Sequence, residues 1–322
     1  MDRRRIVGIV LVLVSACAFG SGGLFAQPVY DTGVGWHTLS AWRFGFGALC
    51  AWLWCLAFAD RRRGLRLLDR RAVIVAVALG ILYTGNSGTY YAGLETVPVS
   101  LAALIVYIYP AVVAVLSLRY GRRLEGRRAW FALALALVGV ALALGGIPDD
   151  ALPPITGLVL IVVSPLIYSV WIILSARLAG ERREAVGDAG DTGADAAAAT
   201  ALMMTGTAAT YWLSGLVVGV PLAPASIPAA AWPGLIGVGV VATFVAIQTF
   251  YAGARRVGAA QAALVSTIEP FYTIALAAIL FGESLAPMQL VGGTLIILGV
   301  LIAQAPAEAF SSIRPGVRLA DE

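Results

Sequence analysis

The sequence predicts an all-α integral membrane protein of ten transmembrane helices, arranged as two inverted five-helix repeats with both termini in the cytoplasm. Three observations predict this fold: long apolar runs, a one-sided distribution of arginine, and an internal repeat. Of the 322 residues, 60% are hydrophobic and 12% are charged, against about 25% charged in an average soluble domain. Helices that are apolar all round, without a polar face, belong in lipid.

The apolar runs divide into ten candidate spans. Most are long enough to cross a hydrocarbon core of about 30 Å at about 1.5 Å per residue. They lie near 6–26, 37–59, 72–91, 97–118, 129–146, 156–176, 196–218, 233–253, 259–281 and 287–305.

The arginines set the expected orientation. All 22 basic residues are Arg, and with the N-terminus inside, every one except Arg43 falls in a cytoplasmic segment. The charged residues of the outer connections are then all acidic, namely Asp31, Glu95, Asp149, Asp150 and Glu283. This is the positive-inside pattern of a membrane protein, so the basic balance needs no nucleic-acid partner. The absence of Lys indicates a bacterial genome and therefore the bacterial inner membrane.

The organisation along the chain follows from these spans. We expect a first five-helix repeat over 1–150, a second over 151–306 and a cytoplasmic tail over 307–322. A polar stretch over 179–195 is expected to be a flexible cytoplasmic linker. The three cysteines form no CxxC pair and His37 is the only histidine, so we predict no disulfide, metal or other cofactor.

The two halves are related in sequence. At an offset of 160, Tyr91-Ala92-Gly93 matches Tyr251-Ala252-Gly253, and Pro110 matches Pro270. Because each half has an odd number of helices, the second must be inverted. Inverted repeats are typical of secondary transporters, in which one half rocks against the other around a central site.

Two charged residues, Arg43 and Glu269, lie inside predicted spans. A charge at mid-bilayer costs about 2.5–3.5 kcal/mol, so each should face the bundle interior. Glu269 is either a group for substrate-cation recognition or proton coupling, or a structural charge that pairs with Arg43 or caps a helix break. For Arg43 a structural or gating role is favoured over substrate contact.

Two prolines are expected to interrupt corresponding helices. Pro270 cannot donate to the carbonyl of Ser266, and Pro110 cannot donate to that of Val106, so both helices should bend. Paired interruptions are the best sequence indication of a transporter's binding site. Pro110 and Pro270 are therefore predicted as gating or structural residues.

Helical spacing places other polar side chains on shared faces. Tyr107 and Tyr109 should point in nearly opposite directions, and we favour Tyr109, the counterpart of Glu269. Helix packing or interfacial anchoring is the alternative explanation for such aromatic stripes. The predicted substrate-binding set is Tyr83, Asn86, Tyr109, Tyr168, Trp171, Gln248, Ser266, Glu269 and Tyr272.

Several short motifs resemble those of the EamA-type transporters of the drug/metabolite transporter superfamily. They are Phe19-Gly20-Ser21, Ala41-Trp42-Arg43-Phe44, Tyr109-Pro110, Glu269-Pro270, Gly282-Glu283-x-Leu285 and Gln289-Leu290-x-Gly292. The resemblance covers nearly the whole chain, although Gly121-Arg122-Arg123-Leu124 lacks the acid of the matching Gly-Glu motif. It implies ten helices, inverted repeats, a central cavity, and movement of metabolites such as amino acids, often outward.

The predicted function is secondary transport, as an exporter or facilitator, of a small polar metabolite. The partners expected are the substrate, the lipid bilayer and a proton or other ion gradient, with the protein acting as a monomer or homodimer. A membrane-embedded enzyme would need a nucleophile with a base or a ligand cluster, and neither occurs near Arg43 or Glu269. A non-transporting receptor or scaffold is the other alternative, and no cytoplasmic signalling domain supports it.

Overall fold

A computed structural model of the chain describes residues 3–120, 126–145, 152–186, 193–257, 265–266 and 268–304. Throughout these residues the regular structure is helical and no strand occurs. The expected tail 307–322 and the outer acids Asp149 and Asp150 lie outside the described residues.

The described residues of the first half form seven helices. They are α1 (Arg3–Tyr30), α2 (Trp36–Ala57), α3 (Ala59–Leu67), α4 (Arg70–Leu94), α5 (Val99–Val106), α6 (Tyr109–Tyr120) and α7 (Gly126–Gly145).

The second half begins with α8 (Ile155–Val186) and α9 (Gly193–Val218). A connection with two short 3₁₀ turns then leads to α10 (Trp232–Ile236), a π-helical segment (Gly237–Val245) and α11 (Ala246–Val257), which continue one another. The chain then forms α12 (Ile268–Phe281) and α13 (Pro287–Gln304).

In the part of the chain that the structure describes, six helices are long and apolar enough to cross a membrane, and they correspond to the first, second, third, sixth, seventh and eighth predicted spans. Four shorter apolar helices, Val99–Val113, Trp130–Ala143, Ile268–Phe281 and Pro287–Ile302, lie within the other four predicted spans. The protein is therefore an all-helical, multi-pass membrane protein, and the count of ten spans stays a prediction.

Three local expectations differ from the structure. The span predicted over 97–118 is divided into α5 and α6, with Tyr107 and Ile108 between them. The eighth span contains a π-helical stretch of nine residues that the sequence did not signal. The stretch predicted as a linker over 179–195 is helical up to Val186 and again from Gly193. Its run Glu181-Arg182-Arg183-Glu184 consists of residues that favour helix; 187–192 lie outside the described residues.

The helices pack in pairs that relate one half to the other. Helix α1 packs on α11 and the π-helical segment, while α4 packs on α8. Helix α2 packs on α9, and α7 packs on α13. If the first to fifth spans are matched in order with the sixth to tenth, α1 matches α8 and α4 matches α11. The pair α1–α11 then corresponds to the pair α8–α4. The pairs α2–α9 and α7–α13 each correspond to themselves.

The pair α7–α13 is the closest of these approaches. A Cβ on Gly139 would lie 2.5 Å from the carbonyl oxygen of Gly292, and a Cβ on Gly299 would lie 2.7 Å from the carbonyl oxygen of Ala132. The offset of 160 converts the first contact into the second. Glycine is needed at these positions because the two backbones touch, as small residues allow in membrane helix pairs.

We expect Gly139→Ala to destabilise the protein by about 1–3 kcal/mol, the usual cost of overpacking a closely packed site. The measurement is the unfolding midpoint of the purified protein in detergent. Gly45→Ala is the matched control, because a Cβ there would meet its nearest neighbour, the indole nitrogen of Trp212, at 3.5 Å, an ordinary contact distance. Equal midpoints for the two variants would contradict the packing argument.

Candidate functional site

The two interrupted helices are joined by a hydrogen bond. The hydroxyl of Tyr107, between α5 and α6, donates to the carbonyl oxygen of Ser266 at 2.7 Å. Pro270 has no N–H to offer that carbonyl, so a side chain of the other half takes the place of the missing helical donor. Tyr107 is buried, with 4% of its surface exposed, so the bond is shielded from solvent.

The break also changes the positions of the two neighbouring tyrosines. We expected Tyr107 and Tyr109 to diverge, but their rings pack edge to face with centroids 5.8 Å apart. That expectation assumed a continuous helix with about 100° between residues. Because α5 ends at Val106 and α6 begins at Tyr109, the assumption does not hold here. Tyr107 is thus a site residue that sequence reasoning missed.

Four predicted side chains form an aromatic cluster made by both halves: Tyr83, Tyr109, Tyr168 and Trp171. The ring of Tyr168 lies 4.9 Å from that of Tyr109 and is stacked on Trp171 at 5.9 Å. Tyr83 meets Trp171 at 5.2 Å. All four are half-buried, so the cluster offers aromatic surface to a ligand.

Hydrogen bonds hold this aromatic cluster in place. The indole N–H of Trp171 donates to the carbonyl of Leu79 at 2.9 Å. Asn86 is buried and accepts from the hydroxyl of Ser164 at 2.8 Å through its side-chain oxygen. The hydroxyl of Tyr83 interacts with the side chains of both Asn86 and Arg43. The polar groups of α4 and α8 are therefore fixed to each other across the halves.

Glu269 lies beside the aromatic cluster. The side chain is half-buried, and among the described residues no hydrogen bond or ion pair reaches its carboxylate. The carboxylate acts electrostatically on the hydroxyls of Tyr83, Tyr90, Tyr107 and Tyr109. It is a desolvated charge without a compensating cation in the described structure.

The backbone of Glu269 is held firmly although its carboxylate is not. The hydroxyl of Thr273 lies 3.0 Å from the carbonyl oxygen of Glu269 and 3.0 Å from that of Gly20. Gly20 is required here, because a Cβ would lie 2.6 Å from the Thr273 hydroxyl. The next turn is held by the hydroxyls of Tyr272 and Ser21, 3.1 Å apart. Helix α1 thus fixes the position from which the carboxylate projects.

Arg43 is buried in α2 and contacts the π-helical segment. Its Nε donates to the hydroxyl of Thr243 at 2.7 Å, and that hydroxyl donates to the carbonyl of Val238 at 2.9 Å. No ion pair joins Arg43 to Glu269, both of which the structure describes, so the proposed pairing of these charges is wrong. The physical reason is that hydroxyl groups and aromatic rings occupy the surroundings of the guanidinium.

The remaining predicted residues lie around the cluster in different ways. Gln248 lies on α11, where its amide nitrogen is buried with no hydrogen-bond partner, and no described contact connects it to the aromatic cluster. Pro270 is buried in the first turn of α12. Pro110 is the second residue of α6, where a proline removes no intrahelical hydrogen bond.

Glu283 of the Gly-Glu motif has a structural role at one end of the bundle. Its carboxylate accepts from the backbone N–H of Val99 at 3.1 Å and of Ser100 at 2.9 Å, which caps the start of α5. A cavity of about 490 Å³ lies beside it, between Gln27, Glu95 and Pro98. The motif therefore fixes the helix that ends just before Tyr107.

These features define a class of protein: a multi-pass, helical membrane protein whose interrupted helices meet at a half-buried carboxylate without a compensating cation among the described residues. Comparison with known proteins agrees with this class. The model of the EamA-like transporter family matches residues 6–145 and again 155–304. The chain belongs to the EamA-like transporter family and is a membrane transporter.

Two relatives are similar over nearly their whole length. An uncharacterized transporter of Archaeoglobus fulgidus is 28% identical over 298 residues, which cover 92% of this chain and 96% of the relative. The uncharacterized transporter YcbK of Bacillus subtilis is 23% identical over 300 residues, 90% of each chain. Their names indicate transport rather than enzymatic activity.

Similarity in fold also extends to solved structures, among them a crystal structure of a protein. It covers 97% of this chain and 100% of its own, with a TM-score of 0.62 and 17% sequence identity. At this identity the similarity concerns the fold alone.

The bond from Tyr107 gives a prediction. Tyr107→Phe removes the hydroxyl, and we expect a loss of about 0.6–1.7 kcal/mol of stability, as for interhelical hydrogen bonds in membranes. We also expect slower substrate transport, because the turn before Glu269 is no longer held. Unfolding midpoint and initial transport rate are the two measurements.

Thr207→Val provides the matched control for this variant. Its hydroxyl donates to the carbonyl of Gly80, also at 2.7 Å and also between helices, but away from Glu269. The control should lose similar stability and retain its transport rate. Equal transport losses in both variants would show that the Tyr107 bond has no special connection to the site.

Proposed function

We propose that this protein is a secondary transporter, an exporter or facilitator, of small polar metabolites such as amino acids. The observation that carries the proposal is the carboxylate of Glu269, half-buried and without a cation among the described residues, beside an aromatic cluster built from both halves. An ammonium group compensates such a carboxylate by charge, and aromatic faces accept both apolar side chains and cations.

The proposed site comprises the predicted substrate-binding set around this carboxylate. Tyr83, Asn86, Tyr109, Tyr168 and Trp171 form its wall, and Ser266 and Tyr272 flank Glu269 on the interrupted ninth span. Gln248 is included as a polar group of the neighbouring helix, whose buried amide nitrogen has no partner. The same carboxylate is suited to carry a proton, so that a proton or other ion gradient drives movement of the substrate.

The mechanism we propose is alternating access of two inverted repeats. Two observations support this mechanism. The packed pair α1–α11 corresponds to the packed pair α8–α4, and the two glycine contacts between α7 and α13 are related by the offset of 160. Residues 1–150 and 151–306 are the proposed repeats. The prolines Pro110 and Pro270 interrupt the corresponding helices, where a small change of angle moves the wall of the site.

The orientation we propose places both termini in the cytoplasm of a bacterial cell. The short helix α3, with Arg61, Arg62, Arg63 and Arg66, then lies at the cytoplasmic surface. The loops that contain Asp31, Glu95 and Glu283 meet at the opposite end, around one cavity. This separation of basic and acidic ends supports the orientation by the positive-inside rule.

The test is counterflow in proteoliposomes with a panel of amino acids and other small metabolites. We expect at least one amino acid to exchange above the rate in empty vesicles, and we expect Glu269→Gln to reduce that exchange at least about tenfold, because a lost charge contact of about 1.4 kcal/mol has this effect. We also expect the variant to lose the dependence on pH that the native protein has between about pH 5 and 8.

Asp31→Asn is the matched control, since Asp31 is an exposed carboxylate outside the helices. It should leave both the rate and its pH dependence unchanged. The transporter proposal fails if no compound in the panel moves. The role of Glu269 fails if a folded Glu269→Gln protein keeps the native rate and pH profile.

A further inference from the structure

The guanidinium of Arg43 is a second buried charge that helix packing alone does not require. Only 6% of the Arg43 surface is exposed, and its position in α2 is that of a membrane span. An arginine there costs about 2.5–3.5 kcal/mol on insertion scales. Such residues normally face a partner, a water-filled cavity or a substrate.

The contacts of the guanidinium leave one edge of it for a ligand. Its carbon lies 4.7 Å from the centre of the Phe44 ring and 4.5 Å from that of Tyr91, as in cation–π contacts. The Nε–H is used by Thr243. The remaining donors are the four N–H bonds of the two Nη groups. The hydroxyl of Tyr83 also forms a hydrogen bond with the Arg43 side chain.

Thr243 fixes the direction in which that edge points. Its hydroxyl proton is committed to the carbonyl of Val238 in the π-helical segment, so the oxygen can only accept from Arg43. Gly239 brings the segment against the α2 backbone, where a Cβ would lie 2.9 Å from the carbonyl oxygen of Arg43. The guanidinium is thereby held in one orientation before any ligand arrives, which reduces the entropy lost on binding.

Among the described residues no carboxylate forms an ion pair with Arg43, and Glu269 likewise has no cation. A second carboxylate, that of Glu95, which like Arg43 acts electrostatically on Tyr30, accepts from the backbone N–H of Trp36.

Ring contacts connect the charges of Arg43 and Glu269, because the Phe44 ring under the Arg43 guanidinium lies 6.0 Å from that of Tyr83. Tyr83 belongs to the aromatic cluster beside Glu269, so the two charges border one group of rings with opposite signs. A molecule that carries one charge of each sign fits this arrangement, because it compensates both.

We propose that the Nη edge of Arg43 binds the carboxylate of the transported substrate, so that the substrate class is zwitterionic amino acids rather than amines. The inference rests on the proposed function and makes Arg43 a specificity-determining residue. A planar guanidinium binds a carboxylate with two parallel hydrogen bonds, which a neutral carboxamide cannot match. In this proposal the Nε of Arg43 binds Thr243, and the two Nη groups bind the carboxylate.

The experiment compares each of two amino acids with its own amide. L-Phenylalanine and L-phenylalaninamide, and likewise L-leucine and L-leucinamide, differ only in the carboxylate. Their binding to the purified full-length protein in detergent is measured by calorimetry. We expect the native protein to prefer the amino acid by at least about tenfold, and Arg43→Gln to bind the two members of a pair equally.

Two further variants separate recognition from packing. Thr243→Val removes the acceptor of Nε and keeps the Nη edge, so it should lower stability and reduce the preference by less than Arg43→Gln does. Arg43→Lys retains the charge and inserts even if Arg43→Gln does not fold. We expect its preference for the amino acid over the amide to be at least about threefold smaller than that of the native protein, because an ammonium group has no planar fork.

The outcomes distinguish this inference from the proposed function. If the native preference persists unchanged in folded Arg43→Gln or in Arg43→Lys, the inference is wrong while the transporter proposal stands. If the native protein prefers the amides, the carboxylate is not recognised and the inference is again wrong. If it binds neither member of either pair, both the amino-acid substrate and the inference are overturned.

Discussion

The hydrogen bond from Tyr107 to the carbonyl of Ser266 is the interaction on which the rest of the site depends. Interruption of a membrane helix exposes backbone groups to a medium that offers them no partner, so each must be satisfied by protein or water. Here the break in the first half supplies the hydroxyl, and Pro270 in the second half leaves the carbonyl of Ser266 without its helical donor. The two interruptions therefore stabilise each other, and Glu269 lies at the point where they meet.

Further hydrogen bonds hold the helices around the Tyr107–Ser266 bond. Glu283 caps α5, which ends just before Tyr107, while Thr273 and Ser21 fasten α12 to α1. On the other side, the π-helical segment holds Arg43 through Thr243. Each of these contacts joins a helix of one half to a helix of the other, so a movement of one half against the other must rearrange them together. In such an arrangement a small substrate can influence the balance between two packings of the helices.

Much of the fold was accessible from the sequence because lipid imposes simple rules. Apolar length and arginine placement located the segments in which the structure has helices, and the motifs indicated the family to which the chain belongs. Pro110 indicated an interruption of the fourth predicted span, but the sequence could not show that α5 and α6 are separate helices and not one bent helix, because Val106 and Ile108 continue the apolar run. It gave no indication of the π-helical segment either, since its residues are ordinary for a membrane helix.

The site was accessible in part for the same reason. Periodicity selected Tyr83, Asn86, Tyr168 and Trp171 correctly as neighbours, because these residues lie on uninterrupted stretches of helix. It failed for Tyr107, where the helix stops and the angular rule no longer applies. It also suggested that Arg43 and Glu269 could pair, because charge alone carries no information about distance. Thr243, which has an ordinary hydroxyl in an apolar run, offered no signal.

Substrate bound beside Glu269 is detectable through the native thiol of Cys17. Cys17 is partly exposed and lies within electrostatic range of Glu269. The measurement is the rate at which a small thiol reagent modifies Cys17 in a protein with Cys50→Ala and Cys55→Ala, with and without a transported compound. We predict that saturating substrate slows modification at least about fivefold, because a ligand at this position excludes the reagent. An unchanged rate at saturation, with transport intact, would place the substrate elsewhere and contradict the account.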